Sequence, residues 1–210
     1  MRAGQKMYDR NGVQVALFPL EYMYISQGEN GSYSHQGTLS VDFLGWGVNG
    51  RVLQCPYYAP CDCHVVYHTS YYNVWQSNNE VITPTGKRYI SFVVMHDANP
   101  PLYGTYKQQG DLIGHTGTND PGGATTGDHV HINTAYGTYA GWHQVPPANK
   151  WELINSSHIY DTFYVNDTTI LQGYGYNWQT YQGGQPTPTP LSHRFKWVLY
   201  ANKLRNRAQF

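Results

Sequence analysis

Charge is scarce in this chain. Lys, Arg, Asp and Glu supply 12 % of its 210 residues, against about 25 % in ordinary soluble domains. Thirteen basic and thirteen acidic side chains cancel to a formal net charge of zero, which argues against nucleic acid as a partner. The cancellation is uneven. Arg194, Lys196, Lys203, Arg205 and Arg207 give residues 191–210 a charge of +5 with no carboxylate, leaving −5 on residues 1–190. Such a tail could make weak contact with an anionic wall or membrane surface. Long apolar runs are missing too. No segment approaches the ~20 apolar residues of a membrane span, and the stretch from Met1 to Tyr24 lacks the continuous apolar run of a signal peptide. The expectation is a protein without a membrane span, brought to any target outside the cell membrane by something other than a leader. Cysteine is limited to Cys55, Cys61 and Cys63, and an odd count closes no disulfide framework. They read as partly buried free thiols in preference to a disulfide with Cys55. Zinc binding by them is weaker still, since no second ligand pair sits at finger-like spacing.

What is present points to an all-β fold. Tyr alone contributes 20 residues, Gly 22 and Pro 12, while helix-forming runs are few. Strand-like runs rich in β-branched and aromatic residues recur: VQVALFPL, LSVDFLGW, CHVVYHTSYYNVWQS, RYISFVVMH and HVHINTAY. Loop compositions separate them, the longest being TGTNDPGGATTGD, which runs directly into HVHIN. Residues 1–160 read as one antiparallel β domain, with WELINSSHIY near its end a short helix or turn. Residues 161–182 form a Tyr-, Asn- and Gln-rich extension with about two short strands. Residues 183–190 are a Pro/Gly linker, and residues 191–210 are a basic tail. In that tail Trp197, Ala201, Leu204 and Ala208 share one helical face, so it is either a short helix or disordered.

Three local signals carry chemistry. His129 and His131 are two apart, so on a strand both imidazoles project from one face. Neutral imidazoles and a carboxylate suit zinc, with one position left for water. His35 sits on a loop before a strand in which Asp42 alternates with Val41 and Phe43, aiming the carboxylate away from an apolar layer. His96 ends the apolar run ISFVVM. Each signal is weak alone, and from the residues by themselves His129 and His131 could exchange roles.

Taken in order, the signals resemble the M23 family of zinc metallopeptidases, the lysostaphin and LytM group. The chain shows His35…Asp42, then APCDCHVV from Ala59, VVMHD ending at Asp97, KQQGDLIGHTG from Lys107 to Gly117, and GDHVHI from Gly127 to Ile132. The resemblance spans about residues 30 to 140. Two departures stand out: Asp42 lies seven residues after His35, a loop three residues longer than the family's usual spacing, and Cys63 occupies a position usually held by Gly. The resemblance implies a grooved LytM/lysostaphin-like β fold holding one Zn²⁺ through His35, Asp42 and His131. It makes His96 and His129 the catalytic histidines. It also suggests Tyr24 or Tyr33 near the oxyanion, and a groove wall over residues 118–127 that brings Thr118 and Asn119 to the substrate. Lys107, Gly110, Gly114 and Gly117 read as shaping a turn, and the remaining histidines as structural or exposed.

The implied activity is hydrolysis of peptide bonds in bacterial peptidoglycan, in the stem or a cross-bridge. The implied setting is a phage lysin or virion-associated enzyme that reaches the host wall by lysis or injection. The alternatives are a catalytically inert M23-like wall binder and a structural phage component. A lysozyme-like glycosidase would need two carboxylates flanking a sugar bond, and no such pair is legible.

Overall fold

The computed structural model describes residues 1–183 apart from Ala124, Thr126 and Tyr174. Residues 184–190 of the expected linker and the tail over 191–210 lie outside the described residues. The body is built on a nine-stranded sheet. Its strands are β1 (Tyr22–Gln27), β2 (Val41–Phe43), β3 (Cys63–His68), β4 (Tyr72–Ser77), β5 (Ile90–Met95), β6 (Tyr106–Lys107), β7 (Val130–Tyr136), β8 (Ser156–Ser157) and β9 (Thr169–Gln172). Across the sheet the order is β6-β3-β4-β5-β7-β2-β1-β9, with β8 also pairing to β7. Pairing is antiparallel except at one edge, where β9 runs parallel to β1. The all-β, mainly antiparallel class expected from composition is therefore the one observed.

Alternation sorts the side chains into two layers. Phe92, Val94, Val130, Ile132, Val41 and Phe43 belong to the main core on one face. Val74, Val93, Ala135 and Leu153 form a smaller cluster on the other. The central strand ISFVVM is apolar apart from Ser91 because both of its faces are covered. Asp42 and His131 have the parity of the second face. That is why a carboxylate and an imidazole can sit mid-sheet without entering the main core.

Several sequence expectations are refined. VQVALFPL, buried from Val15 onward, makes only isolated bridges, Gln14 to Tyr8, Val15 to Ile82 and Leu17 to Tyr164. The N–H groups of Ala16, Leu17 and Phe18 donate to Ile82, Pro60 and Tyr164, three separate segments, so no continuous ladder forms. CHVVYHTSYYNVWQS is a hairpin of β3 and β4. WELINSSHIY divides: Lys150–Leu153 pairs with Trp142–Val145, and Ile159–Thr162 is a four-residue helix, α1. The three cysteines are free and buried.

The described residues of 161–182 contain one named strand, β9, and pack on the body. Phe163 is fully buried against Phe92, ring centroids 5.8 Å apart. Trp178 meets Phe18 edge-on at 5.7 Å. Phe163→Ala should therefore cost about 3–5 kcal/mol, read as a lower urea midpoint for the whole body. A midpoint equal to that of the unaltered chain would show that this segment does not share the core's cooperativity.

Candidate metal centre

The site is assembled by strand register. In the antiparallel ladder Gln27 opposes Asp42, Asp42 opposes His131, His131 opposes Met95, and Met95 opposes Tyr72. Cross-strand neighbours in such a row stand about 5 Å apart, so Asp42 and His131 meet by construction. His35 arrives from the loop between β1 and β2. Nε2 of His35 lies 3.2 Å from Oδ1 of Asp42 and 3.1 Å from Nδ1 of His131. His131 Nδ1 is 3.0 Å from the same Oδ1. Three donor atoms from three segments thus form a compact triangle, with His35 and Asp42 buried.

Hydrogen bonds fix which atoms face inward. Nδ1 of His35 donates to the carbonyl of Gly28 at 3.0 Å. A carbonyl only accepts, so a neutral His35 presents an unprotonated Nε2 to the triangle. That lone pair, the Asp42 oxygen and a second imidazole then converge with too few protons for all three edges. A divalent cation would satisfy the set. Ligands about 2.0–2.1 Å from a tetrahedral zinc lie about 3.3 Å from one another, close to the spacing seen here.

Gln27 completes the arrangement. Its Nε2 donates to Oδ2 of Asp42 at 3.1 Å and to Ser34 Oγ at 2.7 Å. Its Oε1 accepts from the backbone N–H groups of Tyr33 and Ser34, both at 3.2 Å. One side chain therefore turns Asp42 so that Oδ1 faces the imidazoles and also ties down the His35 loop. Gly31 makes room for it, since a Cβ there would stand 2.5 Å from Gln27 Cγ. Gly37 turns the same loop at φ +82°, and a Cβ would meet the Pro146 carbonyl at 2.7 Å.

His96 and His129 stand beside the triangle. Their ring centroids are 4.6 Å apart. Nδ1 of His129 donates to the Gly127 carbonyl at 2.7 Å, and its Nε2 lies 3.8 Å from Asp42 Oδ1. Nδ1 of His96 is 3.1 Å from both the Asn119 carbonyl and Thr125 Oγ1. His96 has φ +75°, uncommon for a residue with a side chain and characteristic of functional turns. Close backbone packing holds that turn. A Cβ on Gly117 would reach the His96 carbonyl at 2.4 Å, and one on Gly114 would strike Asp97 Oδ2 at 1.8 Å. The glycines of the KQQGDLIGHTG segment thus act through packing.

Burial dominates the electrostatics. It pushes the Asp42 carboxyl up, but the interactions with His131 and His35 outweigh it and hold Asp42 well below the usual carboxylate range. Desolvation lowers His131, against the raising effect of Asp42. Desolvation, with charge from His129 and His131, lowers His96 to about 4.

Of the five histidine and aspartate positions singled out in the sequence, four line one cavity, and His35 is buried in contact with Asp42 and His131. The cavity, of about 410 Å³, is lined by Asp42, His96, His129 and His131 together with Gln27, Thr125 and Asp120. Of the substrate-binding expectations, Tyr33 lines it and is 71 % exposed. Tyr24 does not; its ring stacks on Trp46 at 4.2 Å. Thr118 is exposed and outside the described lining. Asn119 spends its amide on the carbonyls of Ser70 and Asp97, at 2.6 and 2.9 Å, so it braces the His96 turn. Sequence reasoning missed Gln27. A one-residue register shift between Ile25 and Gln27 re-aims that side chain, whereas plain alternation would have put it in the core beside Met23 and Ile25.

No family model matches the chain. Morphogenesis protein 1 of Bacillus phage B103 is 44 % identical over 176 residues, which are 80 % of this chain and 45 % of that protein. The chain thus spans under half the length of that relative. Among solved structures, Helicobacter pylori Csd3 is similar with a TM-score of 0.41 and 15 % identity, over 96 % of this chain and 45 % of that one. Pseudoalterin, a deep-sea M23 metalloprotease, has a TM-score of 0.40 and 16 % identity, over 77 % and 91 %. The catalytic domain of lysostaphin from Staphylococcus simulans has a TM-score of 0.31 and 16 % identity, over 59 % and 80 %.

Two outcomes follow from this geometry. Where the triangle holds zinc, Gln27→Ala should weaken its binding about 10–100-fold, measured by competition with a chromogenic chelator; unchanged affinity would remove Gln27 from the site. The depressed pKa of His96 also has a sign. Metal-free unfolded chain binds a proton near pH ~6.5 while the folded chain resists until about pH 4. Stability from this group is complete above pH ~6.5 and is lost as pH falls toward 4. The urea midpoint of metal-free protein should fall across that window, and His96→Gln should flatten the slope.

Proposed function

We propose that this chain is a zinc-dependent endopeptidase of the M23 kind that hydrolyses peptide bonds in bacterial peptidoglycan, in stem peptides or cross-bridges. The observation that carries the reading is the convergence of His35 Nε2, Asp42 Oδ1 and His131 Nδ1 within 3.0 to 3.2 Å, with His96 and His129 beside them in one groove. A surface histidine cluster needs no such register. The order of the motifs along the chain supports the same family.

In this reading His35, Asp42 and His131 hold zinc, which supplies Lewis acidity to polarise an amide carbonyl and acidify water. His129 and His96 each anchor Nδ1 on a backbone carbonyl, which leaves Nε2 free of a proton. His129, with Nε2 toward Asp42, accepts the proton of the attacking water and returns it to the leaving amine. His96, kept neutral by burial, orients water and substrate. Tyr33, on the rim, is placed to touch the peptide. Among the described residues the groove holds no free carboxylate pair for glycoside cleavage: Asp42 is enclosed by histidines, and Asp120 accepts from Gly122 and Thr125.

The relative's name ties that protein to phage morphogenesis, which supports a virion-associated enzyme delivered to the host wall over a freely released lysin. It equally favours a second reading, an inert M23-like domain kept as a phage structural part. Purified walls of several cross-bridge types separate the two. The enzyme should release new amino groups without new reducing ends, and a chelator should stop it. His129→Ala should lower the rate about 10²–10⁴-fold with zinc retained, and His131→Ala should lose the metal. One zinc per chain with no release from any wall would favour the structural part. Release insensitive to both chelation and His131→Ala would overturn the metallopeptidase.

A further inference from the structure

The His35 loop leaves β1 through the peptide group joining Gly28 and Glu29. The two ends of this group have different partners. Its carbonyl, on Gly28, accepts the proton of His35 Nδ1 at 3.0 Å. Its N–H, on Glu29, donates to the hydroxyl of Tyr176 at 2.6 Å. A peptide group is planar and stiff, so its N–H partner sets the direction of its carbonyl. Tyr176 and His35 are thus coupled through one rigid unit.

Tyr176 is itself held. Its ring stacks on Tyr160 at 5.1 Å and 23°, and Tyr160 stacks on His158 at 4.9 Å and 21°. Trp178 meets Tyr160 and Tyr176 edge-on and reaches Phe18 in the main core. His158 Nδ1 lies 2.7 Å from the Glu29 carboxylate, which also receives the backbone N–H of Ile159. The root of the loop is therefore clamped on main chain and side chain alike. Every clamping residue lies at 158–178, outside the stretch that carries the M23 resemblance.

We propose that Tyr176 is a positioning residue for the metal centre, holding the Gly28–Glu29 peptide plane so that its carbonyl aims His35 Nε2 at Asp42 and His131. The proposal rests on the reading of those three residues as metal ligands. Partners that orient a ligating histidine through its second ring nitrogen typically matter 10–100-fold in metal affinity. Tyr176 acts one bond network further out, through the peptide that is itself such a partner, so an effect at the lower end is expected.

The test is Tyr176→Phe in the full chain, which removes the hydroxyl and keeps the stacking ring. Zinc Kd, measured by chelator competition, should rise about tenfold. The visible absorption bands of the Co²⁺-loaded protein should shift as His35 is re-aimed, while the urea midpoint of metal-free protein stays close to that of the unaltered chain. Tyr164→Phe is the matched control. It deletes a hydroxyl in the same segment whose partner is the Thr83 carbonyl at 3.3 Å, remote from the loop, and should change neither Kd nor spectrum. A Kd within twofold and an unshifted spectrum in Tyr176→Phe would overturn the proposal, as would equal weakening in Tyr164→Phe. If the unaltered chain binds neither Zn²⁺ nor Co²⁺, the metal reading itself fails and the proposal with it.

Discussion

The pairing of Asp42 on β2 with His131 on β7 is the contact around which the rest is arranged. Both side chains project from the face of the sheet opposite the main core, and both are set by register. A slip of one residue on β2 would turn the Asp42 carboxylate, and a slip on β7 the His131 imidazole, into the main core. Burying an unpaired carboxylate there is costly enough that the apolar pattern itself enforces the register. Core packing and site assembly are thus one constraint: the residues that must be buried dictate where the donors point.

A strand pair supplies only two of the three donors. The third comes from a loop, and loops lack the ladder that fixes strands. Here the substitute is a set of polar clamps. Gln27 bonds to Asp42, Ser34 and the backbone of residues 33 and 34. Glycines at 31 and 37 allow the chain to approach Gln27 and Pro146 closely. The segment after residue 157 grips the loop at its root. A loop of this length between β1 and β2 needs such external support, because each residue in it has conformations to lose on folding.

The turn at His96 follows another logic. Its positive φ is tolerated because Gly114 and Gly117 admit backbone and side-chain atoms that a Cβ would displace. The Asn119 amide then ties Ser70 to Asp97 across it. The strain is offset by packing on every side, and an imidazole is left at the groove in a neutral form. The proposed chemistry draws on this division of labour: buried, hydrogen-bonded donors for a cation, and partly shielded imidazoles for protons.

Much of this was legible in the sequence. The apolar alternation around Val41-Asp42-Phe43 and Val130-His131-Ile132 gave the face of each side chain, because strand geometry has a period of two. The order of the histidines, the aspartate and the glycine-rich segment gave the candidate set. What the sequence could not give was anything that breaks the period or spans distance. The shift that re-aims Gln27, the capture of Tyr24 by Trp46, the use of Asn119 as a brace and the reach of Tyr176 to Glu29 all depend on which segments meet in space. Local pattern determines which way a residue faces on a regular strand. Only the folded chain decides what stands opposite it, since a hydrogen bond between residues 147 positions apart, as between Glu29 and Tyr176, leaves no trace in local periodicity.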